Sequence, residues 1–136
     1  MTEIIVLVAL PASGKTTLAS GLGDDIVEVV DGDSLKTSTA VVAKVRSLQN
    51  CGKCIIVDAT NATLERRAPL ISIAKEWQIP IKCIWLKVNA KTCIQRAKER
   101  HEKGGKKIPA IAIYKINKTF VAPSVEEGFD EVVLVE

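Results

Sequence analysis

With 136 residues, 47% of them hydrophobic and 26% charged, the chain has the composition of an ordinary globular domain and length enough for a core without disulfide or metal staples. Its formal charge of +3 is too small to argue by itself for a nucleic-acid partner, and no apolar run approaches the ~20 residues of a membrane-spanning helix. Met1 leads straight into a polar pair and a core strand rather than a signal peptide, so the expectation is one cytoplasmic domain over residues 1–136.

Ile4 to Val8 is an unbroken aliphatic run, which predicts a strand buried on both faces. It leads into Ala9-Leu10-Pro11-Ala12-Ser13-Gly14-Lys15-Thr16-Thr17, small turn residues followed by a segment that can start a helix. The spacing is that of G-x-x-x-x-G-K-[ST], with Ala9 where the first glycine belongs, so Ala9 must keep φ below zero. A tight loop of backbone N–H groups opening a helix converges on phosphate oxygens with the positive end of the helix dipole behind it. Ala12, Ser13, Gly14, Lys15, Thr16 and Thr17 are therefore expected to hold ATP or another NTP. Lys15 reaches the β and γ phosphates, the Thr16 hydroxyl holds Mg²⁺, and Thr17 bonds the α phosphate. The helix entered at Lys15 is expected to end near Gly21 and Gly23.

Ile26 to Val30 reads as a second strand, closing on Asp31-Gly32-Asp33-Ser34. Asp33 or Ser34 can cap a helix in which Leu35, Val42, Val45 and Leu48 recur at helical spacing and which Gly52 stops. Cys51 and Cys54 match C-x-x-C but follow a helix and run into a strand, so these two, Cys83 and Cys93 read as small core residues. Ile55 to Val57 is the third strand, ending at Asp58. Pro69 predicts a kink or break between the Thr63 turn and a Leu70 to Trp77 helix. Ile81 to Val88 is the fourth strand, and Lys91 to Lys103 a charged helix with Ile94 and Ala97 inward. Gly104-Gly105 interrupts it, Pro109 opens a helix with Ile113, Ile116 and Phe120 on one face, and Glu131 to Val135 closes the sheet.

Strands alternating with helices predict an α/β domain with a mostly parallel five-stranded sheet and helices on both faces. Ligands of such sheets bind beyond the carboxyl ends of the strands, so the loops starting at Ala9, Asp31, Asp58 and Asn89 share one rim. There Asp33 can accept a proton from an attacking hydroxyl, or simply cap the next helix. Asp58 can bond the Thr16 and Mg²⁺ region directly or through water, or end a plain turn. Arg96 and Arg100 share a helix face before a Gly-Gly hinge, where two guanidinium groups can close over a triphosphate. A solvated helix with Glu99 and Glu102 as partners is the alternative.

Taken together, Leu10-Pro11-Ala12-Ser13-Gly14-Lys15-Thr16, Asp31-Gly32-Asp33-Ser34-Leu35, Val57-Asp58-Ala59-Thr60-Asn61 with Glu65-Arg66-Arg67, and the Arg96 to Arg100 segment resemble the kinase domain of polynucleotide 5′-kinases. The ending Lys118 to Phe129, with its A-P-x-x-x-E-G-F pattern, is similar to the tail of animal end-healing kinases. The resemblance implies a P-loop three-layer sandwich of strand order 2-3-1-4-5 that uses ATP and Mg²⁺ to phosphorylate a 5′-hydroxyl end of DNA or RNA. It implies Asp33 as general base, Lys15 and Thr16 as nucleotide and magnesium residues, and Arg100 as lid arginine. Asp33, Lys36, Asp58, Thr60 and Asn61 become the acceptor side, Lys36 falling where a relative has an Arg on the substrate phosphate. Gly32 stands where the family often has Arg. A kinase of nucleosides, sugars or other small metabolites, and a non-catalytic NTP-binding module, are the competing readings.

Overall fold

A computed structural model describes residues 2–13, 27–105 and 107–136, and of Asp33 the backbone alone. Five strands form one sheet in the order β2-β3-β1-β4-β5: β1 Ile4–Val8, β2 Val27–Asp31, β3 Cys54–Asp58, β4 Ile81–Leu86 and β5 Glu131–Val135. Every described pairing is parallel, and the strand order is the one the resemblance implies. The aliphatic runs behave as expected of covered parallel strands: Ile4, Val6, Val8, Ile55, Val57, Ile81 and Cys83 face one core, while Leu7, Val27 and Ile56 face the other. Each such side chain contributes about 1.5–3 kcal/mol through burial. The β5 edge is wetter, with Val133 and Leu134 exposed.

Among the described residues the helices are α1 Gly32–Leu35, α2 Ser38–Ser47, α3 Leu64–Trp77, α4 Ala90–Glu102 and α5 Ala110–Thr119, followed by a 3₁₀ turn at Val125–Glu127. Two expectations fail here for local reasons. The helix after β2 is not continuous: it stops at Leu35, Lys36 takes φ 67°, and Thr37 caps α2 by accepting from the Ala40 N–H at 3.1 Å. Thr37 is thus the cap of the long helix, not Asp33 or Ser34. Conversely, α3 runs unbroken through Pro69, capped by Thr63 Oγ1 accepting from the Arg66 N–H. The proline removes one helical donor, whose would-be acceptor belongs to Glu65, an exposed residue that water can serve.

At the end of α4 the two glycines do structural work. Gly104 sits at φ 87° and donates to the His101 carbonyl, while Gly105 donates to the Arg100 carbonyl at 2.7 Å, which together make a Schellman cap. A Cβ on Gly105 would lie 2.8 Å from that same carbonyl oxygen. Pro109 stands at the N-cap of α5, and Ile113, Ile116 and the C-cap Phe120 turn inward, as the spacing predicts. Among the described residues no helix is long and apolar enough to cross a membrane.

Candidate nucleotide and acceptor site

β1 delivers the phosphate loop into a rim that its neighbours already brace. Ala9 is 1% exposed, keeps φ negative and donates its N–H to the Thr60 carbonyl at 3.2 Å, so the missing glycine is accommodated by a close strand-end contact. Ala12 is held at φ 63°, the left-handed conformation that side chains other than Gly, Asn and Asp seldom adopt, which bends the loop before Ser13. The Arg96 guanidinium donates to the Ser13 carbonyl at 3.0 Å, tying α4 to the loop across 83 residues of chain. Ser13 Oγ is buried with no hydrogen-bond partner among the described residues. A buried hydroxyl in that state costs free energy until something accepts or donates to it, and a phosphate oxygen fits the need. Gly14, Lys15, Thr16 and Thr17 lie outside the described residues.

Across the rim, Asp31 and Asp58 are register partners at the carboxyl ends of β2 and β3, the first exposed and the second 4% exposed. Ser34 Oγ donates to Asp31 at 3.0 Å. The Asp33 backbone stands two residues past Asp31, within α1. Gly32 is where the two loops touch: a Cβ there would meet the Ala59 Cβ at 2.6 Å, so no larger residue fits without moving a loop. Lys36 is exposed at the α1–α2 break. Thr60 and Asn61 border a small cavity of about 30 Å³ with Ser38 and Arg66. The Asn61 amide nitrogen is already engaged, donating to the Leu7 carbonyl at 2.7 Å, so this side chain stitches the β3 loop to the strand that carries the phosphate loop.

On the other side, Arg96, Arg100 and Lys103 share a cavity of about 300 Å³ with Ala12. The structure therefore brings both expected arginines to the phosphate loop, one braced on its backbone and the other exposed above it. Next along the rim is a cavity of about 440 Å³ that the sequence reading does not anticipate. Leu10, Trp85, Lys87, Asn89, Asn117 and Phe120 line it, with the Trp85 and Phe120 rings 6.0 Å apart and Lys87 Nζ 5.7 Å from the Trp85 centroid. Aromatic walls with a few amides and a cation are the lining that planar ligands select. A Trp and a Phe 35 residues apart, one ending a strand and one ending a helix, give no local signal of this meeting.

The residues that carry the resemblance in Glu65-Arg66-Arg67 and in the tail turn out to be one device. Arg67 is fully buried, its guanidinium donating to both Glu127 carboxylate oxygens at 2.8 and 3.2 Å and to the Asn61 and Val121 carbonyls at 3.0 and 2.8 Å. Glu127 also accepts from the Ser124 N–H, closing a capping box. Gly128 follows at φ 125°, with a Cβ there only 2.7 Å from Ile71 Cγ2, and Phe129 enters the core. A signal for Arg67 does exist in the sequence: it falls on the same helical stripe as Leu70, Ile71 and Ala74, all buried. A charge on an apolar stripe calls for a buried partner.

The four cysteines are free thiols, Cys83 and Cys93 buried and Cys51 and Cys54 half-buried. Burial pushes the Cys83 thiol up to about 12, and burial with the Glu3 carboxylate beside it pushes Cys54 up to about 11. Neither has the depressed pKa of a reactive cysteine. Among the described residues no cluster of three His, Cys, Asp or Glu side chains is arranged to hold a metal.

A parallel 2-3-1-4-5 sheet, a phosphate loop at the end of its central strand and arginines facing that loop define a P-loop nucleotide-binding α/β sandwich with the architecture of small kinases. The family model described as AAA domain (AAA_33) matches residues 34–123, and the chain belongs to that family. It is 39% identical over 133 residues to the bifunctional polynucleotide phosphatase/kinase of Schizosaccharomyces pombe, an alignment covering 96% of this chain and 32% of that protein. The chain thus spans about a third of the length of this relative. Among solved structures, Chaetomium thermophilum Kti12 in complex with ADP-AlF3 superposes with a TM-score of 0.84 at 16% identity, over 97% of this chain and 88% of Kti12. A chain of the Pnkp1/Rnl/Hen1 RNA repair complex gives 0.74 at 24% identity, over 87% of this chain and 43% of its own length.

Proposed function

We propose that the chain transfers the γ-phosphate of ATP to a 5′-hydroxyl end of DNA or RNA. The observation that carries the reading is the rim itself. The phosphate loop enters it between a carboxylate side, Asp31 and Asp58 in register with Asp33 just beyond, and a guanidinium side, Arg96 and Arg100 over Ala12. The 39% identity to a polynucleotide phosphatase/kinase across nearly the whole chain supports the acceptor class.

Each residue then has a distinct task. Lys15 neutralises the β and γ phosphates, and Thr16 with Asp58, directly or through water, supplies the oxygens that Mg²⁺ needs. A Mg²⁺ ion held by these oxygens would supply charge neutralisation at the phosphates. Arg96 fixes the loop by holding the Ser13 carbonyl, and the buried Ser13 hydroxyl beside it is offered to a phosphate oxygen. Arg100, exposed and one turn on, faces the charge that builds on the leaving oxygens. Asp33 holds the acceptor hydroxyl in line and takes its proton. Lys36 and Thr60 orient the acceptor's own phosphate, and Asn61 keeps the acceptor loop against β1. The cavity lined by Leu10, Trp85, Asn89 and Phe120 has the size and lining for the nucleotide base.

A small-molecule acceptor is the second reading. It is favoured by the near balance of charge on the acceptor side, where residues 27–77 carry seven lysines and arginines against six carboxylates. One experiment separates the readings: the protein incubated with labelled ATP and an acceptor panel of 5′-hydroxyl DNA and RNA oligonucleotides, nucleosides and sugars. Label on the oligonucleotide ends supports the proposal. Faster transfer to a free nucleoside or sugar replaces it with the small-molecule kinase, and no transfer to any acceptor, with nucleotide still bound, leaves a binding module.

A further inference from the structure

The basic charge of this protein is concentrated where the transfer chemistry uses little of it. Residues 87–118 carry ten lysines and arginines against two glutamates, whereas the rest of the chain carries nine against fourteen carboxylates. Arg96, Arg100 and Lys103 face the cavity at Ala12 and are accounted for by a nucleotide. α5 is not. It contains no Asp or Glu, and with Ile113 buried and Ile116 turned inward it presents its other side to water.

That outer side has a definite composition. Ile111 is 77% and Tyr114 56% exposed, with Lys115 and Lys118 exposed beside them. Positions 111, 114, 115 and 118 are spaced to form one helical stripe. Lys107 is exposed just before the helix, and no described carboxylate pairs with Lys107, Lys115 or Lys118. Tyr114 is the only tyrosine in the chain, and its ring stands in water amid cations. An exposed aromatic ring within a cationic field is the arrangement with which proteins hold single-stranded nucleic acid, the ring stacking a base of any identity and the lysines meeting the backbone. Counterion release at the phosphates adds affinity that a neutral ligand could not draw on.

We infer that the outer face of α5 holds a single-stranded stretch of the polynucleotide acceptor, with a base on Tyr114 and backbone phosphates against Lys115 and Lys118. The inference rests on the polynucleotide reading of the acceptor and adds where the strand runs beyond its reacting end. It also explains how an acceptor side of nearly balanced charge can serve a polyanion: the attraction comes from α5, whose end adjoins the acceptor loop through the Val121 N–H donated to the Ala62 carbonyl at 2.8 Å.

The test compares acceptor lengths, a 5′-hydroxyl dinucleotide against a single strand of about 20 nucleotides, in the parent protein, Tyr114→Ala, Tyr114→Phe and the double variant Lys115→Gln, Lys118→Gln. With Tyr114→Ala the KM for the long acceptor should rise about tenfold while the dinucleotide, the KM for ATP and kcat stay at parent values. Tyr114→Phe keeps the stacking face and should behave as the parent. The double variant should lower the salt dependence of long-acceptor binding by about 1.4 in the log–log slope. Equal losses on both acceptor lengths, or an unchanged long-acceptor KM, overturn the inference. A parent protein that phosphorylates no oligonucleotide refutes the transfer reaction, and fluorescence anisotropy of a 5′-phosphorylated strand of that length then decides the docking face alone. Tenfold weaker binding by Tyr114→Ala sustains it and unchanged binding removes it.

Discussion

Arg67, in the half of the rim built by β2, β3 and α1 to α3, and the outward cations of the half built by α4 and α5 put positive charge to opposite uses. In the first, Arg67 is wholly enclosed, and both oxygens of Glu127 and two backbone carbonyls absorb its donors. In the second, Arg100, Lys103, Lys107, Lys115 and Lys118 stand in water. A buried guanidinium left without partners destabilises the fold, and Arg67 has four of its five N–H donors committed to joining α3 to the tail. An exposed cation costs the fold little, so it remains available to a ligand's negative charge. Residue type therefore does not separate a structural arginine from a functional one; the number of donors already committed does.

The sharpest way to break this contrast is Arg67→Ala. It leaves Glu127 buried without its partner and should cost about 3–5 kcal/mol, read by denaturant unfolding. The double change Arg67→Met, Glu127→Leu should recover much of that loss, because replacing both charges by apolar groups removes the unpaired carboxylate. Stability unaffected by Arg67→Ala would mean that the tail does not depend on this ion pair.

Asp33→Asn is the next largest effect and addresses chemistry rather than folding. Asn preserves size but cannot take a proton, so transfer should slow at least ~10²-fold, with ATP binding and melting close to the parent. Retained turnover would move the base to Asp31 or Asp58. Arg100→Ala, on the exposed half, should leave stability within about 0.5 kcal/mol, lower kcat roughly tenfold or more, and change the KM for ATP less. A loss confined to KM would make Arg100 an ordinary ground-state contact, and a large loss of stability would erase the contrast with Arg67.

The effect that is silent near neutral pH belongs to the thiols. Well below pH 9 Cys54 and Cys83 are protonated whether the chain is folded or not, and they give no pH dependence there. Above their ordinary value of 9.0 the unfolded thiols ionise while the folded ones resist until about 11 and about 12, so stability should fall as pH rises through that window. Melting temperatures of the parent and Cys83→Ala between pH 8 and pH 11 measure it, the variant showing the shallower decline.

What the amino-acid order determines by itself is local. Aliphatic runs and helical spacing define the five strands and the later helices to within a few residues, because periodicity reports which face of an element is covered. The phosphate-loop pattern, the strand-end carboxylates and the paired arginines are local as well, and the fold gathers Ala12, Arg96 and Arg100 at one rim as their spacing suggests. The break at Lys36 and the passage of α3 through Pro69 depend on a cap and on solvent at one carbonyl, which local propensity weighs poorly. Tertiary structure alone decides which polar residues are already committed. Asn61 reaches Leu7 across 54 residues and Arg67 reaches Glu127 across 60, and each is thereby taken from the pool of free site residues. The physical reason is that a hydrogen-bond donor has a limited number of bonds to give, and only the folded chain brings distant acceptors close enough to claim them.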